Sequence, residues 1–194
     1  MSIFELYLKL GVDHIMDIKG YDHILFVMTL CSVYFLKEWK RVLVLITAFT
    51  IGHSTTLVLA TLKIISVSTD LIEFLIPLTI FITALFNAIF RHEKVTPLAH
   101  RLKYTAAMFF GLIHGLGFSN YLRSLLGSED SIVKPLFAFN VGIELGQMII
   151  VSIIMLMTFL FVTVIKVKRR EWNLVLAGMA LGISLILMIE RFPW

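Results

Sequence analysis

Histidines and carboxylates fall inside stretches of this chain that are otherwise apolar. Asp22 and His23 lie in YDHILF, with His14 and Asp17 just ahead of them; His53 lies in AFTIGHSTTL, His114 in GLIHGLGF and Glu144 in FNVGIELGQ. Asn140, Glu144 and Gln147 are spaced i, i+4 and i+7, so a helix would present them on one face. The same holds for Thr50, His53 and Ser54, and for Gly111, His114, Gly115 and Phe118. A lone buried histidine is most often a hydrogen-bonded core residue. Several ionisable groups in one low-dielectric layer are costly unless they are paired or hold an ion. A divalent transition metal would neutralise the acids and occupy the imidazole lone pairs. Nitrogen and carboxylate oxygen suit zinc, nickel, cobalt or iron, and the lack of a nearby cysteine argues against a thiolate site. The candidate ligands are therefore His23, His53, His114, Asp22 and Glu144. Asn140, Gln147, Ser54 and Thr50 would orient them, and His14 and Asp17 are additional candidates. The alternative is an ion-free hydrogen-bond network that fastens helices.

The elements that must position these groups follow from composition. The chain has 194 residues, 59% of them hydrophobic and 15% charged, with a mean hydropathy of +0.93. A soluble domain is about a quarter charged, so the balance excludes disorder, a nucleic-acid-binding arm and an ordinary cytosolic enzyme. It predicts an all-α, polytopic membrane protein forming a single domain over 1–194. Apolar segments run roughly over 21–36, 42–62, 71–90, 104–126, 135–165 and 172–189, which gives six spans. The first is short for a crossing of about 20 residues, so its helix is expected to begin near Asp13 or Asp17. Residues 3–10 read as a short amphipathic helix lying at the membrane surface. Residues 1–20 carry five charges without a continuous apolar run, so no signal peptide is expected, and the single Cys31 allows no internal disulfide.

Three alternate connections hold Lys37, Lys40 and Arg41; Arg91, Lys94, Arg101 and Lys103; and Lys166, Lys168, Arg169 and Arg170. The positive-inside rule places these in the cytoplasm and both termini outside, in the inner (plasma) membrane. The net charge of +4 is then an orientation signal and calls for no nucleic-acid partner. The 91–103 connection would be the cytoplasmic excursion, with His92 and His100 solvated. At 1.5 Å per residue, His53 and Glu144 lie about 13 Å, and His114 about 18 Å, below the outer surface. Asp22 and His23 also fall in the outer half, so the four polar islands share one layer. Three small-xxx-small pairs, Gly111 with Gly115, Gly142 with Gly146 and Gly178 with Gly182, could bring helices together, including those of a homo-oligomer.

YDHILF, AFTIGHSTTL, FFGLIHGLGFSNYL and AFNVGIELGQ, in this order and spacing, resemble the HupE/UreJ family of bacterial membrane proteins from about Gly20 to Gln147. The four-motif combination is specific, whereas any one motif alone is weak. The resemblance implies about six spans and a nickel or cobalt permease. The family's histidine-glycine signature matches His114-Gly115, and its acidic position matches Glu144. The family also has a histidine a few residues before Asp-His, where this chain has His14 eight residues before Asp22. Two other functions remain open on the residues alone. One is an intramembrane zinc hydrolase acting on a lipid or lipoprotein, with three histidines, an open metal position and Asp22 or Glu144 as base. It is encouraged by the lack of acidic or histidine groups in the inner half. The other is a non-catalytic assembly partner.

Overall fold

The computed structural model describes residues 2–90, 97–126 and 131–193. Its elements are α1 (Ile3–Met16), α2 (Asp22–Cys31), a single 3-10 turn (Leu36–Glu38) leading into α3 (Trp39–Thr61), α4 (Thr69–Ile89), α5 (Pro97–Gly117), α6 (Ser119–Leu126), α7 (Val133–Phe159), which continues as a π-helical turn (Leu160–Val164), and α8 (Arg169–Glu190). No strand occurs among the described residues. Among the described residues, four helical segments are long and apolar enough to cross a membrane: Leu36–Thr61, Thr69–Ile89, Val133–Val164 and Arg169–Glu190. Exposed Ile82, Ile153, Leu156, Ile186 and Ile189 cover the outside of the bundle. An apolar exterior of this kind suits hydrocarbon as the solvent.

The N-terminal region differs from the expectation in two ways. Residues 3–10 do not form a separate surface helix. They open α1, which starts at a capping box in which Ser2 Oγ accepts from Glu5 N (3.2 Å) and Glu5 Oε2 accepts from Ser2 N (2.8 Å). This helix packs along α7 with Tyr7, Gly11 and Ile15 buried. Nor does the following helix begin near Asp13 or Asp17. The chain breaks after Met16, because the Asp17 carboxylate accepts the Lys19 backbone N–H at 2.9 Å and so competes with helix continuation. Helix α2 then starts at Asp22.

Two helix pairs are pressed together at glycines. A methyl group on Gly11 would lie 2.1 Å from Phe139 O, and one on Gly142 2.1 Å from Leu8 O, which ties α1 to α7. On the other side, Gly52 meets Met108 O, Gly111 meets Phe49 O and Gly115 meets His53 O in the same way, which ties α3 to α5. Leu8 faces Gly142 while Val12 and Ile15 face Gly146, and Phe49 faces Gly111 while His53 faces Gly115, so the contacts advance together and the helices of each pair run in the same direction. The Gly111/Gly115 and Gly142/Gly146 motifs are thus used inside the chain, and they lend no support to a homo-oligomer. A methyl group on Gly178 or Gly182 would meet none of the described residues within 4 Å. Hydrogen bonds from Ser54 to Asn140 (2.6 Å) and from Thr50 to Gln147 (2.8 Å) set α3 antiparallel to α7. Asn173 donates to Asn87 O at 2.9 Å, and Phe192 packs on Phe74 with ring centroids 5.3 Å apart, which sets α8 antiparallel to α4. Helices α1, α2, α4 and α7 therefore run one way, and α3, α5 and α8 the other.

The fourth apolar segment also departs from expectation. Helix α5 starts at Pro97 and ends at Gly117, and α6 follows as a separate short helix. His100 is consequently not a solvated loop residue. It is buried in α5 beside Tyr34 and Tyr104. His92, with Arg91 and Lys94, lies outside the described residues.

Candidate metal centre

His14 lies in the last turn of α1 and His23 in the first turn of α2. On one continuous helix, nine residues of separation would turn the two side chains to roughly opposite faces. The break at 17–21 removes that constraint and brings the imidazoles to a centroid distance of 4.6 Å. His53 of α3 completes the group, at 5.8 Å from His14 and 5.9 Å from His23. One ligand atom from each of the three imidazoles lies within 4.8 Å of the others. His53 is placed there by the α3–α5 glycine contacts, which also bring α5 and its His114 to a centroid distance of 5.4 Å from His23.

The nitrogen atoms of this cluster have few partners. His14 Nε2, His23 Nε2, both nitrogens of His53 and His114 Nδ1 are buried and make no hydrogen bond among the described residues. Buried polar atoms are normally paired, so five orphans in one cluster are what an unfilled coordination sphere would leave. His114 carries its own tautomer signal. Thr79 Oγ1 donates to Ile76 O at 2.7 Å, which commits its single proton. Its 3.0 Å contact to His114 Nε2 therefore has the imidazole as donor, which leaves His114 Nδ1 as a free lone pair. A ring N–H held in this way fixes orientation and tautomer, as is usual for metal-bound histidine. Around the imidazoles stand aromatic rings: Phe118 at 3.9 Å from His14, Phe26 at 5.0 Å and Phe49 at 5.2 Å from His114. They supply apolar surface around the imidazoles.

On the open side, a cavity of about 260 Å³ reaches His14, His23 and His114 between Asp17, Asp22, Glu73 and Arg191. Asp22 sits in its wall, with Oδ2 at 3.0 Å from Arg191 Nη1 and Oδ1 buried without a partner among the described residues. Glu144 is elsewhere. Its Oε1 accepts from Thr47 at 2.8 Å in an exposed position on the α3–α7 seam. Asn140, Gln147, Ser54 and Thr50 bond to one another along the same seam, and none of these bonds ends on an imidazole. The structure thus brings together His14, His23, His53 and His114, with Asp17 and Asp22 at the approach. The signal that points most directly to His14 is the repeated Asp-His-Ile, at residues 13–15 and 22–24. It places two equivalent histidines on either side of the Lys19-Gly20 breaker.

The chain matches the family described as HupE / UreJ protein over residues 1–191. With nearly the whole length covered, the chain belongs to the HupE/UreJ family. That membership makes it a membrane protein related to metal transport, and it does not favour the hydrolase or assembly-partner readings. No curated protein and no solved structure matches the chain.

Proposed function

We propose that this protein is a permease for a divalent transition metal, nickel or cobalt in the first place, with zinc as the third candidate, in the inner membrane of a bacterium. The chain crosses six times with both termini outside. The first crossing is interrupted, with α1 in the outer half and α2 continuing inward. The other crossings are α3, α4, α5, α7 and α8. Discontinuous helices of this kind are where transporters place ion sites, because the unwound backbone and converging helix ends supply polar groups at membrane depth.

The metal is the substrate. Its ligands are His14, His23 and His53, with His114 Nδ1 as the fourth and Asp22 beside them. The observation that carries this reading is the trio of imidazoles, half-buried His14 and buried His23 and His53, each from a different helix, with one ligand atom apiece within 4.8 Å of the others. Nitrogen donors without thiolate fit nickel, cobalt and zinc.

The test is cobalt binding and flux on the same preparation. Detergent-purified protein should bind close to one Co²⁺ with a visible spectrum of nitrogen ligation, and His53→Gln should abolish it. Sealed proteoliposomes should show protein-dependent uptake of Ni²⁺ or Co²⁺. A wild-type protein that binds neither ion would end the proposal, and binding without flux would remove the transport half of it.

A further inference from the structure

The cavity above the imidazoles contains more charge than a passive opening requires. Its wall carries the carboxylates of Asp17, Asp22 and Glu73 and the guanidinium of Arg191. The formal balance of these four is −2, which matches one dication. The groups are not equivalent. Asp22 stands next to His23 on the first turn of α2, so it is the last carboxylate before the ligand layer, and it is the one Arg191 holds. The contact is partly withdrawn from water, with side-chain exposures of 28% for Arg191 and 13% for Asp22. Only one carboxylate oxygen is used; Oδ1 is buried and unpartnered among the described residues. Arg191 itself is set beyond the end of α8, its backbone N–H bonded to Leu187 O at 3.0 Å. The next residue, Phe192, is anchored on Phe74. The backbone is thus fixed, so any movement of the guanidinium falls to the long side-chain stem.

We propose that Arg191 is a tethered counter-cation guarding the ligand layer. Its guanidinium neutralises Asp22 while the imidazoles are empty, and an incoming dication reaches His23 by taking Asp22 from it. This rests on the metal-permease reading above. A monovalent ion has too little charge to displace a guanidinium held by a hydrogen-bonded ion pair, whereas a dication gains the carboxylate and the neighbouring imidazoles together. The latch therefore selects for charge before the imidazoles select for metal. The swing also leaves Arg191 among Asp17 and Glu73, where its charge stays compensated.

The experiment is Co²⁺ titration of the detergent-purified full chain, wild type against Arg191→Gln and Arg191→Lys, with and without excess K⁺. Removal of the competing cation should tighten Co²⁺ binding by about tenfold, within the usual range of a coupling between sites. It should also make binding in the Gln variant sensitive to K⁺, which the wild type resists. Lysine, which lacks the guanidinium fork, should fall between them, about threefold tighter than wild type. An Arg191 that only braces the fold would give weaker binding on replacement, so unchanged or weakened Co²⁺ affinity in both variants overturns the proposal while leaving the metal site standing. Should the Gln variant fail to purify folded, the Lys variant decides: parity with wild type overturns the latch. Absence of Co²⁺ binding by the wild type is the separate result that removes the permease reading itself.

Discussion

Thr79 is the residue that turns His114 from a buried polar group into a donor-ready ligand. Its hydroxyl proton goes to Ile76 O, so it can only accept from the imidazole, and Nδ1 of the ring is thereby left as the free lone pair. Thr79→Val keeps the shape of the side chain and removes the acceptor. If His114 Nδ1 contributes to the site, the variant should lose about 10- to 100-fold in Co²⁺ affinity, the usual cost of removing an outer partner of a metal-bound histidine. Thr79→Ser, which retains the hydroxyl, should bind as the wild type does. Equal affinities for Val and Ser in a Co²⁺ titration would show that the tautomer does not matter and would take His114 out of the ligand set.

The glycines set the spacing of the elements. Where Gly52, Gly111 and Gly115 face α3–α5 carbonyls, a methyl would meet backbone oxygen at 2.1–2.2 Å, and neither helix can yield without moving an imidazole. Gly52→Ala should therefore destabilise the protein by about 1–3 kcal/mol, as overpacking does, and weaken Co²⁺ binding with it. Gly178→Ala, where the added methyl meets none of the described residues within 4 Å, should stay within about 0.5 kcal/mol of wild type. Thermal unfolding in detergent compares the two, and similar shifts for both would undo the account. This is also the scale at which the sequence is legible and then stops being so. Hydropathy gives the helical class and most segment positions, because the apolar requirement of a bilayer is written continuously along the chain. Pairing is not written that way: Gly111-Gly115 announces a close contact but not that Gly52 is its partner. The break at residues 17–21 depends on one side-chain-to-backbone bond from Asp17, a local competition that hydropathy cannot register. The polar face of Asn140, Glu144 and Gln147 was legible as a face, but a period of 3.6 says nothing of what lies opposite, which proved to be Ser54, Thr47 and Thr50.

For the molecule as a whole, the cluster adds a second junction to the α3–α7 hydrogen bonds that join the two close helix pairs. Helices α1 and α7 form one close pair and α3 and α5 another, and the histidines come from α1, from α2 just past the break, and from both helices of the second pair. At the opposite end the basic residues act as clamps: Arg170 donates to Asn87 O, Ala88 O and Phe90 O at the end of α4, and Arg169 donates to Val33 O at 2.5 Å. That end is pinned by hydrogen bonds whatever the metal does. An ion bound by His14, His23 and His53 would tie both sides of the α1–α2 break to α3, adding to the hydrogen bonds from Thr50 and Ser54 that already join the two helix pairs. Ligand that binds only the folded state adds about 4 kcal/mol at a thousandfold excess over Kd. For a chain of this length that corresponds to a rise on the order of 10 °C in unfolding temperature. Saturating Co²⁺ should produce that rise, chelation should reverse it, and His23→Gln should abolish it. Hydrogen exchange should place the gain in protection at residues 11–24, on both sides of the break. A rise that spreads evenly over α4 and α8 instead would mean that the ion acts on the exterior of the bundle and that the break is held by contacts other than the metal.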